Sequence, residues 1–349
     1  MTNKIIKVGK REIGTNRSCY VIAEIGSNFD GSFLKAKKMI RLAKDAGADA
    51  VKFQSFTTEQ ILSKKGFEKK TTFQSKWKKS IWNVYKNAEF PLSWHEKLNE
   101  YAKKIGVDFL STPYNYDAVK LLKKMNVPAM KVGSGDITDT EFLKIIGKTR
   151  KPIFLATGAS TMKEVRKAVN TIKSSGNNKI ILMQSITQYP SPIEEANLEV
   201  LNTFKDKFKL NVGYSDHSPG SLVILASVVL GACVIEKHFT DDVKLNGPDH
   251  PHSMNPKEFS KMVKEIRLIE NAKGSGIKKV EKSEKETRII QRRSVFTIKK
   301  IKKNQKFTRE NIMTLRPCIG LPASEFSKIL NKKAKRNLNE FTPITLKDF

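Results

Sequence analysis

The sequence predicts an α/β protein, built as a (β/α)8 TIM barrel that is followed by a small, mostly β domain. Eight short apolar runs alternate with amphipathic stretches of helical period, which is the number of units that a closed barrel requires. Each run ends in polar residues, whereas its interior is apolar. A doubly wound open sheet is the alternative, but eight regular units favour closure of the sheet.

The elements follow from this rhythm in chain order. Residues 4–19 predict a short hairpin that turns at Val8-Gly9-Lys10. The predicted strands are the apolar runs Val21–Ile25, Ala50–Phe53, Asp108–Ser111, Ala129–Val132, Ile153–Ala156, Ile180–Met183, Asn211–Tyr214 and Cys233–Glu236. Helices are predicted where apolar residues recur at helical spacing, for example at Leu34–Ala46, Asp117–Met125, Thr140–Ile146, Met162–Lys173, Leu222–Leu230 and Asn255–Ala272.

Two segments interrupt or end the barrel pattern. The long insertion Phe56–Glu89 after the second strand is expected to lie over the carboxyl ends of the strands, as a lid or as a contact for a partner. After Ala272 the chain becomes rich in glycine and serine and then highly charged, which predicts a linker. We therefore expect a barrel domain over residues 1–273, a linker over residues 274–290 and a small domain over residues 291–349, with strands at Ser294–Ile298, Asn311–Leu315 and Pro343–Leu346.

Composition excludes several classes of protein. No apolar run approaches the ~20 residues that span a bilayer, and the polar N-terminus lacks the apolar region of a signal peptide, so we expect a cytoplasmic protein without a membrane contact. The three cysteines, Cys19, Cys233 and Cys318, are far apart and predict neither a disulfide framework nor a zinc site. The net charge of +30 is spread over scattered lysines, which favours a solvated surface over nucleic-acid binding. A positive field also attracts a phosphorylated anionic substrate.

The chemistry of a barrel gathers where its strands end. Ser215, His217, Glu236 and His238 follow two apolar runs that a crossover helix would connect, so they emerge side by side at the ends of neighbouring parallel strands. Two imidazoles at this place suit a divalent metal ion, for which neutral imidazole is a common ligand. A single histidine there would more often be a hydrogen-bonded core residue, but two on adjacent strands favour the metal.

The other strand ends carry further polar groups. Lys52 and Lys131 suit a ligand with a phosphate and a carboxylate, together with the hydroxyls and glycine-flanked amides at Ser134, Ser160 and Ser215. Glu24, Asp136 and Glu236 are candidates for proton transfer or for completing a metal shell. Three simpler assignments stand beside these: a buried ion pair of Lys52 with Glu24, a surface position for His95 and a packing role for Cys233.

These residues lie in motifs that closely resemble the N-acetylneuraminate (sialic acid) synthase family, the phosphoenolpyruvate-dependent nonulosonate synthases. The resemblance covers nearly the whole chain, through the motifs Ala23–Gly26, Gly47–Gln54, Phe109–Pro113, Lys131–Thr138, Ala156–Gly158, Gly213–His217, Glu236–Thr240 and Gly247–His250. The C-terminal segment, with Arg316-Pro317 and Arg336-Asn337-Leu338, is similar to the antifreeze-like (SAF) domain of these enzymes.

The resemblance implies a synthase that condenses phosphoenolpyruvate with an N-acylated amino sugar, such as N-acetylmannosamine or a 2,4-diacetamido-trideoxyhexose, and releases phosphate. It implies a divalent metal, typically Mn²⁺ with Mg²⁺ or Co²⁺ as alternatives, held by His217 and His238. It implies a domain-swapped homodimer in which Arg316 reaches the sugar in the partner subunit. The substrate-binding residues that it implies are Lys52, Gln54, Thr112, Lys131, Ser134, Ser160, Tyr189, Ser215, Asp249 and Arg316, and the catalytic ones are Asp136, Glu24 and Glu236.

The chain departs from the family pattern at places that concern the sugar more than the reaction. Asn28-Phe29-Asp30-Gly31 stands where relatives generally read Asn-His-Asn-Gly. Asp136 stands where many have Glu, and Pro251-His252-Ser253 stands in place of the usual Lys-Ala-Ser. Two alternatives remain: a synthase for a phosphorylated sugar such as N-acetylmannosamine 6-phosphate, and a non-catalytic barrel that binds sugar or nucleic acid.

Overall fold

The computed structural model describes residues 5–67 and 79–349 of the chain, which forms two compact units, Met1–Gly274 and Ser275–Phe349. The first unit opens with an antiparallel hairpin of β1 (Ile6–Val8) and β2 (Arg11–Ile13). Its turn is at Gly9, where φ is 55° and an added Cβ would lie 2.6 Å from Asp108 Oδ2. Glycine is thus required both by the left-handed backbone and by the close approach. The predicted hairpin is confirmed.

Eight parallel strands form the main sheet of the first unit. They are β3 (Tyr20–Glu24), β4 (Ala50–Ser55), β5 (Asp108–Pro113), β6 (Met130–Val132), β7 (Ile153–Ala156), β8 (Ile180–Ser185), β9 (Asn211–Asp216) and β10 (Val234–His238). The last strand, β10, pairs with the first, β3, and the two strands at the ends of the hydrogen-bonded order, β5 and β6, lie in contact. The sheet therefore curls into the predicted barrel.

Helices follow the strands in the order that the hydrophobic periodicity predicts. They are α1 (Phe33–Asp45), α2 (Thr58–Ile61), α3 (Ile81–Ala88), α4 (His95–Ile105), α5 (Tyr116–Lys124), α6 (Thr140–Lys148), α7 (Met162–Ser174), α8 (Val200–Phe208), α9 (Leu222–Val229) and α10 (Pro256–Lys273). The start of α10 is fixed by a capping box between Asn255 and Glu258, with Pro256 at the first helical position. In the described ranges, no helix is long and apolar enough to cross a membrane.

Two apolar layers hold the barrel together. The larger layer lies between the sheet and its helices, and the smaller one fills the barrel interior. In the smaller layer, Tyr20, Leu110 and Phe154 from the strands pack with Val8 and Ile13 from the hairpin. The hairpin thus closes the amino end of the barrel, and the polar carboxyl ends of the strands remain as its open end.

The insertion after β4 is helical in its described parts. The backbone N–H of Thr58 in α2 donates to Glu89 Oε1 at 2.7 Å, and Lys86 of α3 donates to Glu59 at 2.8 Å, so the two helices are tied together. The middle of the insertion, residues 68–78, lies outside the described residues. The lid assigned to residues 56–89 therefore stays a prediction.

The second unit has a small apolar core of its own, which includes Val295, Phe307, Ile312, Leu338 and Ile344. Its regular elements are α11 (Lys285–Gln291), the antiparallel pair β11 (Ser294–Thr297) and β12 (Ile312–Leu315), and α12 (Phe326–Ile329). The predicted strand Pro343–Leu346 is wrong. Pro343 makes only an isolated bridge with Phe296, because proline lacks the N–H that would continue a ladder. A 3₁₀ turn then begins at Leu346.

Candidate active site at the carboxyl ends of the barrel strands

Four charged side chains lie together at the carboxyl ends of the strands. Lys52 Nζ is 2.9 Å from Glu24 Oε2 and 3.6 Å from Glu236 Oε1. Lys131 Nζ is 2.9 Å from the same oxygen of Glu236. None of the four side chains is more than 6% exposed. Lys52 thus forms the buried ion pair with Glu24 that the sequence offers as the simpler assignment. This pair is part of a larger cluster of two lysines and two glutamates.

The alternation of side chains along the strands builds this cluster. Glu24 pairs in register with Lys52, and Glu236 with Ser215, so their side chains leave the sheet at matching heights on the inner side. Three neutral side chains hydrogen-bond to the cluster, and all three are predicted site residues: Thr112 accepts from Lys52 at 3.0 Å, Gln54 donates to Glu24 at 2.7 Å, and Ser215 donates to Glu236 at 3.0 Å.

The residues that follow Ser215 and Glu236 along their strands form a separate ion pair. Asp216 and Lys237 alternate to the outer side of β9 and β10, where Lys237 Nζ lies 2.6 Å from Asp216 Oδ2. Both side chains are buried, and Lys237 also donates to the carbonyl of Ser218. This pair ties the two strands together and does not contribute to the inner cluster.

Burial and neighbouring charge set the protonation of the cluster. Burial raises the pKa of Glu24, although Lys52 acts in the opposite direction. Burial alone would also raise the pKa of Glu236, but the ammonium groups of Lys131 and Lys52 lower it to about 2. Burial lowers the pKa of Lys131, so its proton is held less firmly than on an exposed lysine. Glu236 is therefore the firmly ionised partner of both lysines.

A group of hydroxyls and amides lies beside the cluster at the ends of β6, β7 and β8. The backbone N–H of Gly158 donates to Ser134 Oγ at 3.1 Å, and Ser160 Oγ donates to the carbonyl of Gly158 at 3.0 Å. A Cβ on Gly158 would lie 2.1 Å from Thr187 Oγ1, so only glycine fits. Among the described residues, Thr187 Oγ1 and Ser185 Oγ have no hydrogen-bond partner. Such donors suit an anion.

Asp136 lies next to this group. Its Oδ2 and the hydroxyl of Tyr114 flank Gly133, at 3.2 and 3.3 Å from where a Cβ would stand. This oxygen is buried and has no hydrogen-bond partner in the described part of the chain. Burial, with a smaller contribution from Asp139, raises the pKa of Asp136 to about 7. Its carboxyl group can therefore gain or lose a proton near neutral pH.

The two predicted metal ligands lie close together: the ring centroids of His217 and His238 are 5.5 Å apart and their planes are inclined by 55°. His217 Nδ1 donates to the carbonyl of Ile186 at 2.8 Å, which leaves its Nε2 with a lone pair. Burial lowers the pKa of His217 to about 4 and that of His238 well below its ordinary value. Both rings are neutral at pH 7, as ligation requires. The ring of Tyr189 lies 4.2 Å from that of His217.

The loop after β10 adds two more donors. One ligand atom each of His238, Asp249 and His252 lies within 4.8 Å of the others. Among the described residues, His238 Nδ1 and His252 Nε2 are buried without hydrogen-bond partners. Orphaned imidazole nitrogens beside a carboxylate fit a divalent cation. His252 is not among the predicted site residues, because a lone histidine in a loop carries no periodic signal; its place three residues after Asp249 was the available clue.

Arg316 lies in the second unit, where it is exposed. The surface position predicted for His95 is wrong, because its ring is fully buried against Phe90. Its Nε2 lies 2.5 Å from Ser55 Oγ, which lies at the same distance from Ser111 Oγ. His95 thus joins α4 to β4 and β5.

Comparison with known proteins identifies close relatives. The chain matches the models of the NeuB family over residues 39–278 and of the SAF domain over residues 292–349. It is 42% identical over 326 residues to N,N'-diacetyllegionaminic acid synthase of Campylobacter jejuni, across 92% of this chain and 97% of that protein. An uncharacterized protein of Methanocaldococcus jannaschii is 41% identical over 335 residues, 96% of each chain. The crystal structure of N-acetylneuraminic acid (sialic acid) synthetase from Leptospira borgpetersenii in complex with citrate has a TM-score of 0.74 and 32% identity, across 82% of this chain and 95% of that chain.

Proposed function

The chain belongs to the NeuB family, and from this premise we propose how its barrel acts as a synthase. It condenses phosphoenolpyruvate with an N-acylated amino sugar to form a nonulosonic acid of the sialic acid type. C3 of phosphoenolpyruvate bonds to the aldehyde carbon of the open-chain sugar, and water adds at C2. The bond between C2 and the oxygen that carries the phosphoryl group then breaks, and phosphate leaves with that oxygen.

The observation that supports this proposal most strongly is the buried cluster of Lys52, Lys131, Glu24 and Glu236 beside the hydroxyls of the barrel mouth. Lys52 and Lys131 neutralise the phosphate and carboxylate of phosphoenolpyruvate, and Ser134, Ser160, Ser215 and Thr112 supply further hydrogen bonds. Preorganised cations of this kind stabilise the charge that develops as phosphate leaves. Glu236 holds both ammonium groups in place, and its pKa of about 2 makes it a weaker candidate for proton transfer than Asp136.

Asp136 is the proposed general base. It lies in the same 3₁₀ turn as Ser134, which is proposed to contact the phosphate, so it would lie close to C2 of phosphoenolpyruvate. With a pKa of about 7 it is half ionised at neutral pH, so it can accept a proton from the water that adds at C2. That proton is then available for the oxygen of the former aldehyde. The second proton of the added water, on the C2 hydroxyl, passes to the departing phosphate as C2 becomes a carbonyl, which balances the reaction.

His217 and His238 are the proposed holders of a divalent cation, with Mn²⁺ preferred to Mg²⁺ or Co²⁺. Their neutral rings and the orphaned Nδ1 of His238 fit such an ion. When bound, the cation supplies Lewis-acid polarisation of the aldehyde oxygen. The hydrogen bond from His217 Nδ1 to the carbonyl of Ile186 keeps that ring oriented.

The proposed sugar is a 2,4-diacetamido-2,4,6-trideoxyhexose. The relative from Campylobacter jejuni is named for a product with two acetyl groups, N,N'-diacetyllegionaminic acid. Glu24, Gln54, Tyr189 and Asp249 are the residues proposed to face this sugar.

Phosphate release tests the proposal directly. The full chain is assayed with phosphoenolpyruvate and Mn²⁺ in the presence of the diacetamido sugar, N-acetylmannosamine or N-acetylmannosamine 6-phosphate. We expect metal-dependent turnover that is fastest with the diacetamido sugar. Turnover with only the phosphorylated sugar would replace this substrate assignment, and no turnover by protein that binds metal would support the non-catalytic barrel.

The assembly is a further part of the proposal. We place the enzyme in the cytoplasm, where phosphoenolpyruvate is available, as a domain-swapped homodimer. Arg316 of each subunit would then reach the acetamido group of the sugar in the other barrel. Its guanidinium group is exposed in the second unit, as such a reach requires.

A further inference from the structure

His252 and His238 present an unusual pair of buried nitrogens. Their ring centroids lie 4.7 Å apart, and their side chains are sheltered, that of His252 being 4% exposed. In the described part of the chain, His238 Nδ1 and His252 Nε2 lack hydrogen-bond partners. An unpaired buried polar atom destabilises the fold unless a ligand satisfies it. Two such atoms at one point indicate a shared ligand.

Asp249 completes the set with an oriented carboxylate. Its Oδ2 accepts hydrogen bonds from the backbone N–H and the hydroxyl of Ser27, both at 2.8 Å. Its Oδ1 lies 3.9 Å from His252 Nε2, which is too long for a hydrogen bond but suits two ligands of one ion. Gly26 allows this approach, because a Cβ there would lie 2.5 Å from Asp249 Oδ2.

The loop that carries His252 is itself fixed. Ser253 Oγ donates to the carbonyl of Asp249 at 2.6 Å and accepts from Asn28 Nδ2 at 2.9 Å. The backbone N–H of Met254 donates to the carbonyl of His238 at 2.8 Å, which ties the loop to the end of β10. His252 is therefore held in place by the backbone on both sides, as a preformed ligand needs to be.

We propose that His252 is an additional protein ligand of the divalent cation, which it binds together with His238 and Asp249 Oδ1. This inference rests on the proposed function in one respect: the ion is taken to be the one that also contacts His217. An added imidazole raises affinity for first-row transition metals over Mg²⁺, whose preferred ligands are oxygens. The site would thus retain Mn²⁺ or Co²⁺ in the presence of a large excess of Mg²⁺.

Metal binding by the apo form of the full chain tests this inference without any sugar. Mn²⁺ is titrated calorimetrically, and the nitrogens coupled to bound Mn²⁺ are counted by pulsed electron paramagnetic resonance. His252→Ala should lose one coupled nitrogen and bind Mn²⁺ roughly 10- to 100-fold more weakly. His252→Gln, which keeps a polar side chain, should lose the same nitrogen and serves if the alanine variant unfolds. An unchanged nitrogen count and affinity in a folded variant would overturn the assignment.

A matched control is available in the same loop. His250 is buried, and its ring nitrogens are already engaged by Thr240 Oγ1 at 2.6 Å and Asp30 Oδ1 at 3.0 Å. His250→Gln should leave the nitrogen count unchanged. Phosphate release at saturating Mn²⁺ is measured separately. If the wild-type chain released no phosphate, the proposed reaction would be rejected. The nitrogen count would still decide whether His252 is a ligand.

Discussion

Three carboxyl groups of one site differ in protonation because their surroundings differ. Glu236 accepts from Lys131 and Ser215 and stays ionised, with its pKa lowered to about 2. Asp136 lacks a cation among its described neighbours, and burial raises its pKa to about 7. Burial raises the pKa of Glu24, while Lys52 acts in the opposite direction. This separation lets one carboxylate hold the anion site together while another exchanges protons.

Asp136→Asn should abolish most turnover. A general base contributes about 10²- to 10⁴-fold, so kcat should fall by that factor while KM for phosphoenolpyruvate changes little. In the wild type, log kcat should fall with a slope of one below a pH of about 7, because the acid form of Asp136 cannot accept a proton. The variant should lose this limb. A limb that persists in the variant would assign the ionisation to another group.

The same substitution should stabilise the fold above neutral pH. A carboxyl group whose pKa is raised by folding binds more protons in the native state, so stability falls as pH rises from about 4 to about 7. The carboxamide of the variant does not ionise and avoids that loss. Urea unfolding at pH 8 should therefore show the variant more stable by roughly 1–3 kcal/mol, and the two proteins should converge at pH 4.

Lys131→Ala should weaken substrate binding and the fold together. Loss of a charge-assisted contact, worth roughly 1.5–3 kcal/mol, should raise KM for phosphoenolpyruvate about 10- to 100-fold. Glu236 would keep only Lys52 as a cation, so the free energy of unfolding should fall by about 2–4 kcal/mol. Lys120→Ala is the matched control, since that side chain is 80% exposed. Equal behaviour of the two variants in steady-state kinetics would contradict the anion site.

At the scale of elements, β4 and β10 show how far the sequence could predict the site. Their apolar interiors predicted the strands, but β4 extends to Ser55 and β10 to His238, two residues beyond the predicted ends. Polar residues at a strand end lack the apolar signature although the ladder continues through them. The elements were therefore predictable from hydrophobicity, and the exact extent of the strands that present the site was not.

Contacts between distant segments account for the errors. The polar residues around His95 in its helix predict a surface position, but its partners Ser55 and Ser111 come from two other elements. His252 acquires meaning only when the loop after β10 folds back beside His238 and Asp249. Hydrophobic periodicity predicts which face of a helix or strand is buried, but it does not predict which residues pack against that face.

The buried link through His95 should be visible in the pH dependence of stability. Burial lowers its pKa to about 4, so its contribution is complete above pH 6.5 and is lost as pH falls toward 4. His95→Gln should destabilise the protein by roughly 2–4 kcal/mol at pH 7.5. Urea unfolding at pH 5 should show a difference smaller by up to about 2 kcal/mol. A difference independent of pH would mean that folding does not lower the pKa of His95.

At the scale of the whole molecule, two features concern the approach of substrate to the barrel: the N-terminal hairpin and the net charge. The hairpin packs into the amino end of the barrel, so the carboxyl end is the side on which the candidate site lies. The chain carries a net charge of +30, and a positive charge of this size attracts anions such as phosphoenolpyruvate. In the proposed scheme, the positively charged side chain that recognises the sugar is Arg316, which belongs to the second unit and not to the barrel.

Complementation tests whether Arg316 acts in its own subunit or in its partner. Arg316→Ala and Asp136→Asn are each expected to be nearly inactive, and the two variants are co-expressed with different affinity tags or mixed under conditions that exchange subunits. In a swapped dimer, a mixed pair contains one site with both residues intact. Random pairing of equal amounts makes half of the dimers mixed, so about a quarter of wild-type activity should return. If Arg316 served its own barrel, each mixed dimer would carry one defect in each site, and mixing would restore nothing.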